Sequence, residues 1–225
     1  MRKLLAALFL FSSILLAGES LPEFMERVYS ADSVNTPDKW NYRAEEVVTH
    51  FEDASRTEVE SRVTTVKDYV MEDGEIVSEK VISREVEGEE SDSERPKGND
   101  REEPEYKMPF SDDSRDEYDY SDLGTMTLRG ETVRQIGFEP VEEDDEYVRG
   151  SAWFEVESAE IRRFEFQPVD YPFAVKYLKI RLDFERIGEY IVPVYFDMQL
   201  SGKILFLAKF NIRVQQTKSD IDIIQ

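Results

Sequence analysis

The chain has 225 residues and a formal net charge of -22 at pH 7, from 50 acidic against 28 basic side chains. Binding to nucleic acid or to an anionic membrane surface needs clustered lysine and arginine, so this charge argues against both. The chain contains no cysteine, which excludes disulfides, thiolate metal sites and cysteine nucleophiles. Its length suits one domain with a substantial core.

The first residues have the features of a secretory signal peptide. Arg2 and Lys3 form a short positive head, and the apolar run from Leu4 to Leu16 is too short to span a bilayer comfortably. Small residues follow this run and mark the cleavage zone. We therefore expect residues 1–20 to be removed and the mature chain to be exported to the periplasm. Glu19 stands where a lipoprotein would carry its cysteine, so we expect release without a lipid anchor.

The next segment, Leu21 to Val34, is predicted to be a helix. Pro22 suits a first turn, and apolar side chains recur along one face. That face consists of Leu21, Phe24, Met25, Val28 and Tyr29. A single apolar stripe predicts that the helix lies against a sheet and covers or plugs part of its apolar surface.

Extended segments follow the helix. Trp40 to Phe51 is the first predicted strand, and Thr57 to Val70 with Glu75 to Val86 form a predicted hairpin around Glu72-Asp73-Gly74, because Asp-Gly is preferred in tight hairpin turns. The stretch from Gly88 to Lys107 is rich in Glu, Asp, Ser, Pro and Gly, with almost nothing to bury. This composition predicts a disordered acidic loop.

Four further strands are predicted in the middle of the chain, with a second acidic loop at 142–146 between the second and third. They lie at about 124–129, 133–139, 149–156 and 160–166.

Three segments near the C-terminus alternate apolar and polar side chains almost without error, which predicts an antiparallel meander with one wet face and one apolar face. The apolar positions are Leu178, Ile180, Leu182 and Phe184, then Tyr190, Val192, Val194, Phe196, Met198 and Leu200, then Ile204, Phe206, Ala208, Phe210, Ile212 and Val214. Gly188 and the Ser201-Gly202 pair fall between the runs, where we expect tight turns. The fold class is thus mainly β (α+β), with one helix and about nine or ten antiparallel strands in a single domain, 21–225.

Four short motifs occur in an order that resembles a known superfamily. They are Ile136–Pro140 (IGFEP), Arg149–Phe154 (RGSAWF), Ile161–Phe164 (IRRF) and Tyr190–Pro193 (YIVP). This order resembles that of the periplasmic outer-membrane lipoprotein-sorting and carrier proteins of the LolA and LolB type, over about residues 108–218. Glu155 departs from the usual Asp after the Trp-Phe pair, and the acidic insertion at 88–107 is not typical of that superfamily.

The resemblance implies a strongly curved antiparallel sheet that forms an incomplete barrel, with helices plugging its mouth and acyl chains held inside. The expected function is that of a periplasmic carrier, not an enzyme, that shields a lipid or lipoprotein acyl chain on its way to the outer membrane. Membrane-bound donor and acceptor proteins are the expected partners, and a monomer is the expected state. The candidate lining residues are Leu178, Ile180, Leu182, Phe184, Val192, Val194, Phe196, Met198, Phe206 and Phe210. The same side chains would equally form a dry core under a helix.

Catalytic signals are weak. His50 is the only histidine, and a lone histidine without a partner is more often structural than catalytic. There is no phosphate-binding glycine loop, nucleophile elbow or histidine pair. Acidic residues between Asp112 and Asp122 offer carboxylates for calcium but lack the spacing of a helix–loop–helix site. We therefore expect no catalytic residue, no cofactor and no metal.

Two other classes of protein are consistent with a signal peptide and alternating strands. A small outer-membrane barrel is disfavoured by charges such as Glu58, Glu60 and Arg62 in the early strands and by the absence of a terminal aromatic residue. A secreted structural or interaction module, with a dry core and acidic loops that bind a partner, is the main alternative. Deletion of 88–107 would separate the two functions, because a carrier would keep its lipid.

Overall fold

A computed structural model describes residues 19–31, 36–88, 106–171, 174–204 and 208–224. The predicted signal peptide lies outside these residues except for its last two positions.

The described residues form one α-helix and ten strands. The helix is α1 (Leu21–Ser30), and the strands are β1 (Lys39–Phe51), β2 (Val59–Glu72), β3 (Glu75–Gly88), β4 (Tyr118–Leu128), β5 (Glu131–Pro140), β6 (Val148–Glu155), β7 (Ile161–Pro168), β8 (Val175–Ile187), β9 (Tyr190–Ile204) and β10 (Ala208–Ile223). A short 3-10 helix, Asp112–Glu117, precedes β4. The predicted mainly β fold class is confirmed.

All ten strands belong to one antiparallel sheet in the order β3-β2-β1-β10-β9-β8-β7-β6-β5-β4. From β4 to β10 each strand lies beside its neighbour in sequence, as a meander does. β1 then pairs with β10, and β2 and β3 continue outward from β1. β3 and β4 are therefore the edge strands of the sheet that the described residues form, and this sheet is an open half-barrel.

The helix begins and ends at identifiable caps. Glu23 N–H donates to Ser20 Oγ at 3.4 Å, and Ser20 N–H donates to Glu23 Oε2 at 3.0 Å, a reciprocal capping box. The backbone turns extended at Ala31, so α1 ends at Ser30, earlier than the predicted Val34. Residues 32–35 lie outside the described residues.

The predicted β2–β3 hairpin is confirmed. Asp73 and Gly74 form its turn with φ of 51° and 81°, the left-handed values that a two-residue hairpin loop of this type requires. The predicted loop boundaries are wrong at both ends, because Gly88 pairs with Ser61 in the sheet and Lys107 bridges to Tyr147. Residues 89–105 between them lie outside the described residues.

The predicted turn at Ser201-Gly202 is wrong. Both residues lie inside β9, where Gly202 pairs with Phe210 and with Val175 on the two sides. A Cβ at position 202 would lie 2.2 Å from the Phe210 ring and 2.2 Å from the carbonyl oxygen of Ala174. Glycine is needed here because the two neighbouring strands approach closely, and the chain reverses only after Ile204.

A β-bulge interrupts the alternation in β9. Asp183 pairs with Tyr195, but Phe184 pairs with Pro193, so Val194 is the extra residue. On the N-terminal side of the bulge, the side chains of β9 therefore alternate in the opposite sense. Val192 pairs with Glu185 and does not share the face of Phe184. The prediction of one unbroken apolar face from Tyr190 to Leu200 is therefore wrong before the bulge.

The face of the sheet opposite α1 carries a buried charge. The side chain of Asp183 is fully buried, and its carboxylate accepts hydrogen bonds from Arg163 Nε at 2.6 Å and Arg181 Nη2 at 2.7 Å. Arg129 Nη2 adds a third at 2.8 Å. Burial alone would raise the pKa of Asp183, but the hydrogen bonds from Arg181 and Arg163 outweigh it and hold the pKa below its usual value.

We expect Asp183→Asn to lower the free energy of unfolding by about 3 kcal/mol, because it removes the shared partner of three guanidinium groups. Urea unfolding at pH 7 measures the change. Glu185→Gln is the matched control, since Glu185 contacts Arg129 but is mostly exposed and should cost less than about 0.5 kcal/mol.

The same pair of variants has a pH signature. A lowered folded-state pKa contributes stability above the unfolded-state value of about 3.9, and this contribution is lost as the pH falls through the folded-state pKa. The stability difference between the parent protein and Asp183→Asn should therefore shrink below about pH 4. A difference that stays constant down to pH 2 would contradict the assigned ion cluster.

Candidate functional site

We call the face of the sheet on which α1 lies the inner face. Phe24, Met25 and Val28 of the helix are buried in one large apolar cluster. The cluster's buried sheet residues include Ile136, Phe138, Ala152, Phe154, Phe164, Phe166, Phe184 and Ile191. None of its described members comes from β10, β1, β2 or β3. This cluster, to which α1 and Phe110 both contribute, therefore covers one half of the inner face, from β4 to the nearer part of β9.

A helix of this length cannot cover the whole inner face of the sheet. Ten residues of α-helix extend about 15 Å, while ten strands about 4.8 Å apart form a far wider surface. In any orientation, α1 leaves the strands of the other half of the sheet without contact from the helix. The half formed by β9, β10, β1 and β2 is called the open half below.

One apolar row crosses the whole inner face. Directly paired residues in an antiparallel sheet share a face, so the register defines rows of neighbouring side chains. The row, from β4 to β3 in spatial order, is Tyr120, Phe138, Gly150, Phe166, Ile180, Met198, Val214, Val48, Val63 and Val86. Its first members lie under the helix, and from Met198 to Val63 they are only partly buried.

The apolar strip narrows across the open half. On β9 the row is flanked by Phe196 and Leu200, both apolar. On β1 the flanking positions on the same face are Glu46 and His50, so a single apolar residue, Val48, remains between polar neighbours. The inner face thus offers a broad apolar area beside the helix that tapers to a narrow strip.

The structure divides the predicted lining residues into groups. Phe184 is buried in the helix-covered cluster, with Ile180 and Leu182 packed against its margin. Val192 and Val194 are buried at the bulge, and Val192 lies on the other face. Phe196, Met198 and Phe210 are partly buried on the inner face of the open half, and Leu178 is partly buried on the inner face of β8. Phe206 lies outside the described residues.

Sequence reasoning missed the inner-face residues of the early strands. Val48 and Val63 continue the apolar row, but their strands are rich in Thr and Glu and show weak alternation. The sequence did contain a signal for Lys218. In a strand every second residue faces the same way, so Lys218 lies on the same face as Val214. A lysine that continues an apolar series is directed towards the apolar face.

A cavity of about 200 Å³ opens on this face. Its walls are Leu182, Pro193, Val194, Tyr195, Phe196, Gln216 and Lys218. Three of these, Leu182, Val194 and Phe196, are predicted lining residues. A depression of about 550 Å³ is lined mainly by acidic residues such as Asp144 and Asp170. Another, of about 510 Å³, mixes aromatic side chains such as Trp153 with charged ones such as Glu165.

Lys218 lies beside a second, aromatic cluster. Trp40, Tyr42 and Tyr69 stack in series, with ring centroids 4.7 and 5.1 Å apart. The Lys218 ammonium lies 4.9 Å from the Trp40 ring centroid and 4.6 Å from that of Tyr42, within cation–π range. Burial lowers the pKa of Lys218 from 10.5 to about 8 and raises that of Tyr42 to about 12.

Other chemistry has little support among the residues that the structure describes. His50 pairs with Ile212 and Ser61 inside the sheet. In the described ranges no group of three or more His, Asp or Glu side chains is placed to hold a metal ion. None of the described helical segments is long and apolar enough to cross a membrane.

An open antiparallel half-barrel with one partly covered apolar face is the class of protein that this fold defines. No family model matches the chain, and no curated protein matches it. Among solved structures, a DUF1329 family protein from Desulfovibrio piger is similar with a TM-score of 0.39 and 11% identity, covering 89% of this chain and 91% of that chain.

Two further solved structures carry names related to the resemblance in the sequence motifs. A LolA superfamily protein from Nitrosomonas europaea has a TM-score of 0.38 and 11% identity, covering 91% of this chain and 93% of its own. An outer membrane lipoprotein-sorting protein domain from Vibrio parahaemolyticus has a TM-score of 0.34 and 10% identity, covering 81% and 84%. The likeness concerns the fold, and what those proteins bind is a property of those proteins.

The lowered pKa of Lys218 has a consequence for stability. The unfolded chain holds this proton up to about pH 10.5, but the folded chain releases it from about pH 8, so stability rises with pH between these values. Below about pH 8 both states carry the charge, and the folded state bears the full cost of desolvation.

We therefore expect Lys218→Met to melt at least about 2 °C above the parent protein at pH 7, and this gap to close towards pH 10. Thermal unfolding followed by circular dichroism measures both. Lys67→Met is the control, because the Lys67 ammonium is paired with Glu79 at 2.7 Å and should gain nothing from removal. A gap that is absent at pH 7 would show that the Lys218 ammonium is solvated.

Proposed function

We propose that the inner face binds the acyl chain of a lipid or of an acylated lipoprotein, and that the protein carries it through the periplasm towards the outer membrane. The observation that carries this proposal is the apolar row that continues beyond the cover of α1. Met198, Val214, Val48 and Val63, which are partly buried, form the part of the row beyond α1.

The shape of the strip favours a linear ligand. From β9 to β3 the row crosses five strands, roughly 20 Å, and on β1 it is one residue wide between Glu46 and His50. An extended acyl chain has these proportions, whereas a protein surface would need a broad apolar patch. Each methylene that the strip removes from water contributes roughly 0.8 kcal/mol, so binding needs no catalytic group.

Adjacent valines in β1 provide a matched test. Val48 lies on the inner face opposite Val214, and Val47 lies on the other face opposite Gln215; both are partly buried. We expect Val48→Asp to weaken binding of a fluorescent fatty acid at least about tenfold, because it places a carboxylate in the apolar row. Val47→Asp should change binding less than about twofold.

Fluorescence titration of the mature chain gives the affinities, and melting temperatures of both variants control for folding. Equal binding by the two variants would place the ligand elsewhere. Native mass spectrometry of the protein purified without detergent gives an independent result. A bare polypeptide mass together with no fatty-acid uptake would overturn the carrier function and favour an interaction module with a dry core.

A further inference from the structure

Lys218 lies on the inner face, in the wall of the 200 Å³ cavity. It lies opposite Ala44, and Lys67 lies opposite the same alanine on the other side. The two lysines differ in their surroundings. Lys67 is paired with Glu79, whereas no acidic side chain among the described residues lies within ion-pair distance of the Lys218 ammonium.

The cavity beside Lys218 is complementary to one kind of molecule. Its walls combine apolar side chains, including Leu182, Val194 and Phe196, with the amide of Gln216 and the ammonium of Lys218, and they contain no carboxylate. This is unusual in a chain with a net charge of -22, where most surfaces repel anions. An apolar wall that ends at one cation fits an amphiphile with an anionic head.

We propose that Lys218 binds the anionic head of the ligand, a carboxylate or phosphate group, while its acyl chain lies along the apolar row. This inference rests on the proposed function and specifies which lipids the site selects. A charge-assisted hydrogen bond from the ammonium, with a second from the Gln216 amide, would hold the head at this end.

The register connects the head site to the chain site. Leu182 and Phe196, in the cavity wall, are directly paired, and the next inner-face pair along these strands is Ile180 with Met198, two members of the apolar row. A ligand anchored at Lys218 can therefore pass over Phe196 and reach the row without crossing a charged side chain of β8 or β9. Binding of the anion would also offset the cost of burying an unpaired ammonium.

The test compares two ligands that differ only in the head. Dodecanoate and dodecanol are titrated at pH 7 against the full mature chain that has bound a neutral apolar fluorescent probe, and displacement gives each affinity. We expect the parent protein to prefer dodecanoate at least about tenfold, and Lys218→Met to bind both about equally. Lys218→Arg should keep the preference, and Lys67→Met is the matched control that should also keep it.

Each outcome has one meaning. Equal binding of acid and alcohol by the parent protein, or an unchanged preference in Lys218→Met, would overturn the role of Lys218 and leave the acyl-chain function standing. Binding of neither ligand would overturn the acyl-chain function and this inference with it. Dodecyl phosphate distinguishes the two head groups. Inorganic phosphate and acetate, which have no chain, should not displace the probe, and displacement by them would identify a simple anion site instead.

Discussion

The length of α1 sets the main constraint on this fold. One described helix of ten residues lies against a sheet of ten strands, and the apolar cluster that it shares with Phe110 extends only from β4 to β9. A sheet that is apolar beyond its cover must bind something there or leave those side chains partly in water. The partly buried state of Met198, Val214 and Val48 is the direct result.

The two faces of the sheet are stabilised by different interactions. The face opposite the helix contains buried carboxylates that are matched by arginines: Asp183 has three, and Asp197 accepts two hydrogen bonds of 2.8 Å from Arg213. These charges compensate one another within the protein. The inner face is different, because the described contacts of the Lys218 ammonium are with the Trp40 and Tyr42 rings and not with a carboxylate. The described charges are therefore compensated on one face of the sheet, whereas Lys218 on the other face is not paired with a described carboxylate.

Much of the architecture could be predicted from local patterns. The Asp73-Gly74 turn and the strand at β8 depend on residues close in sequence, and both were predicted correctly. The third predicted run began at Ile204, but in the structure Ile204 ends β9 and β10 begins at Ala208. The face of the sheet on which Val192 lies and the role of Gly202 were not predicted correctly. Both depend on the partner strand, through a bulge in one case and a close strand approach in the other. Alternation shows which residues of one strand share a face, but it does not show which residues of two strands are paired. The row through Val48 and Val63 follows only from that register.

The pairing of β1 with β10 affects the order in which the chain can fold. These strands come from opposite ends of the described chain, whereas the meander from β4 to β10 is built from sequence neighbours. Closing so long a loop is entropically costly, so we infer that the meander assembles first and the hairpin of β2 and β3 docks late, with β1. Until then β10 is an exposed edge with unpaired backbone groups. The apolar row crosses from Val214 to Val48 at this pairing, so it is complete only when β1 has docked.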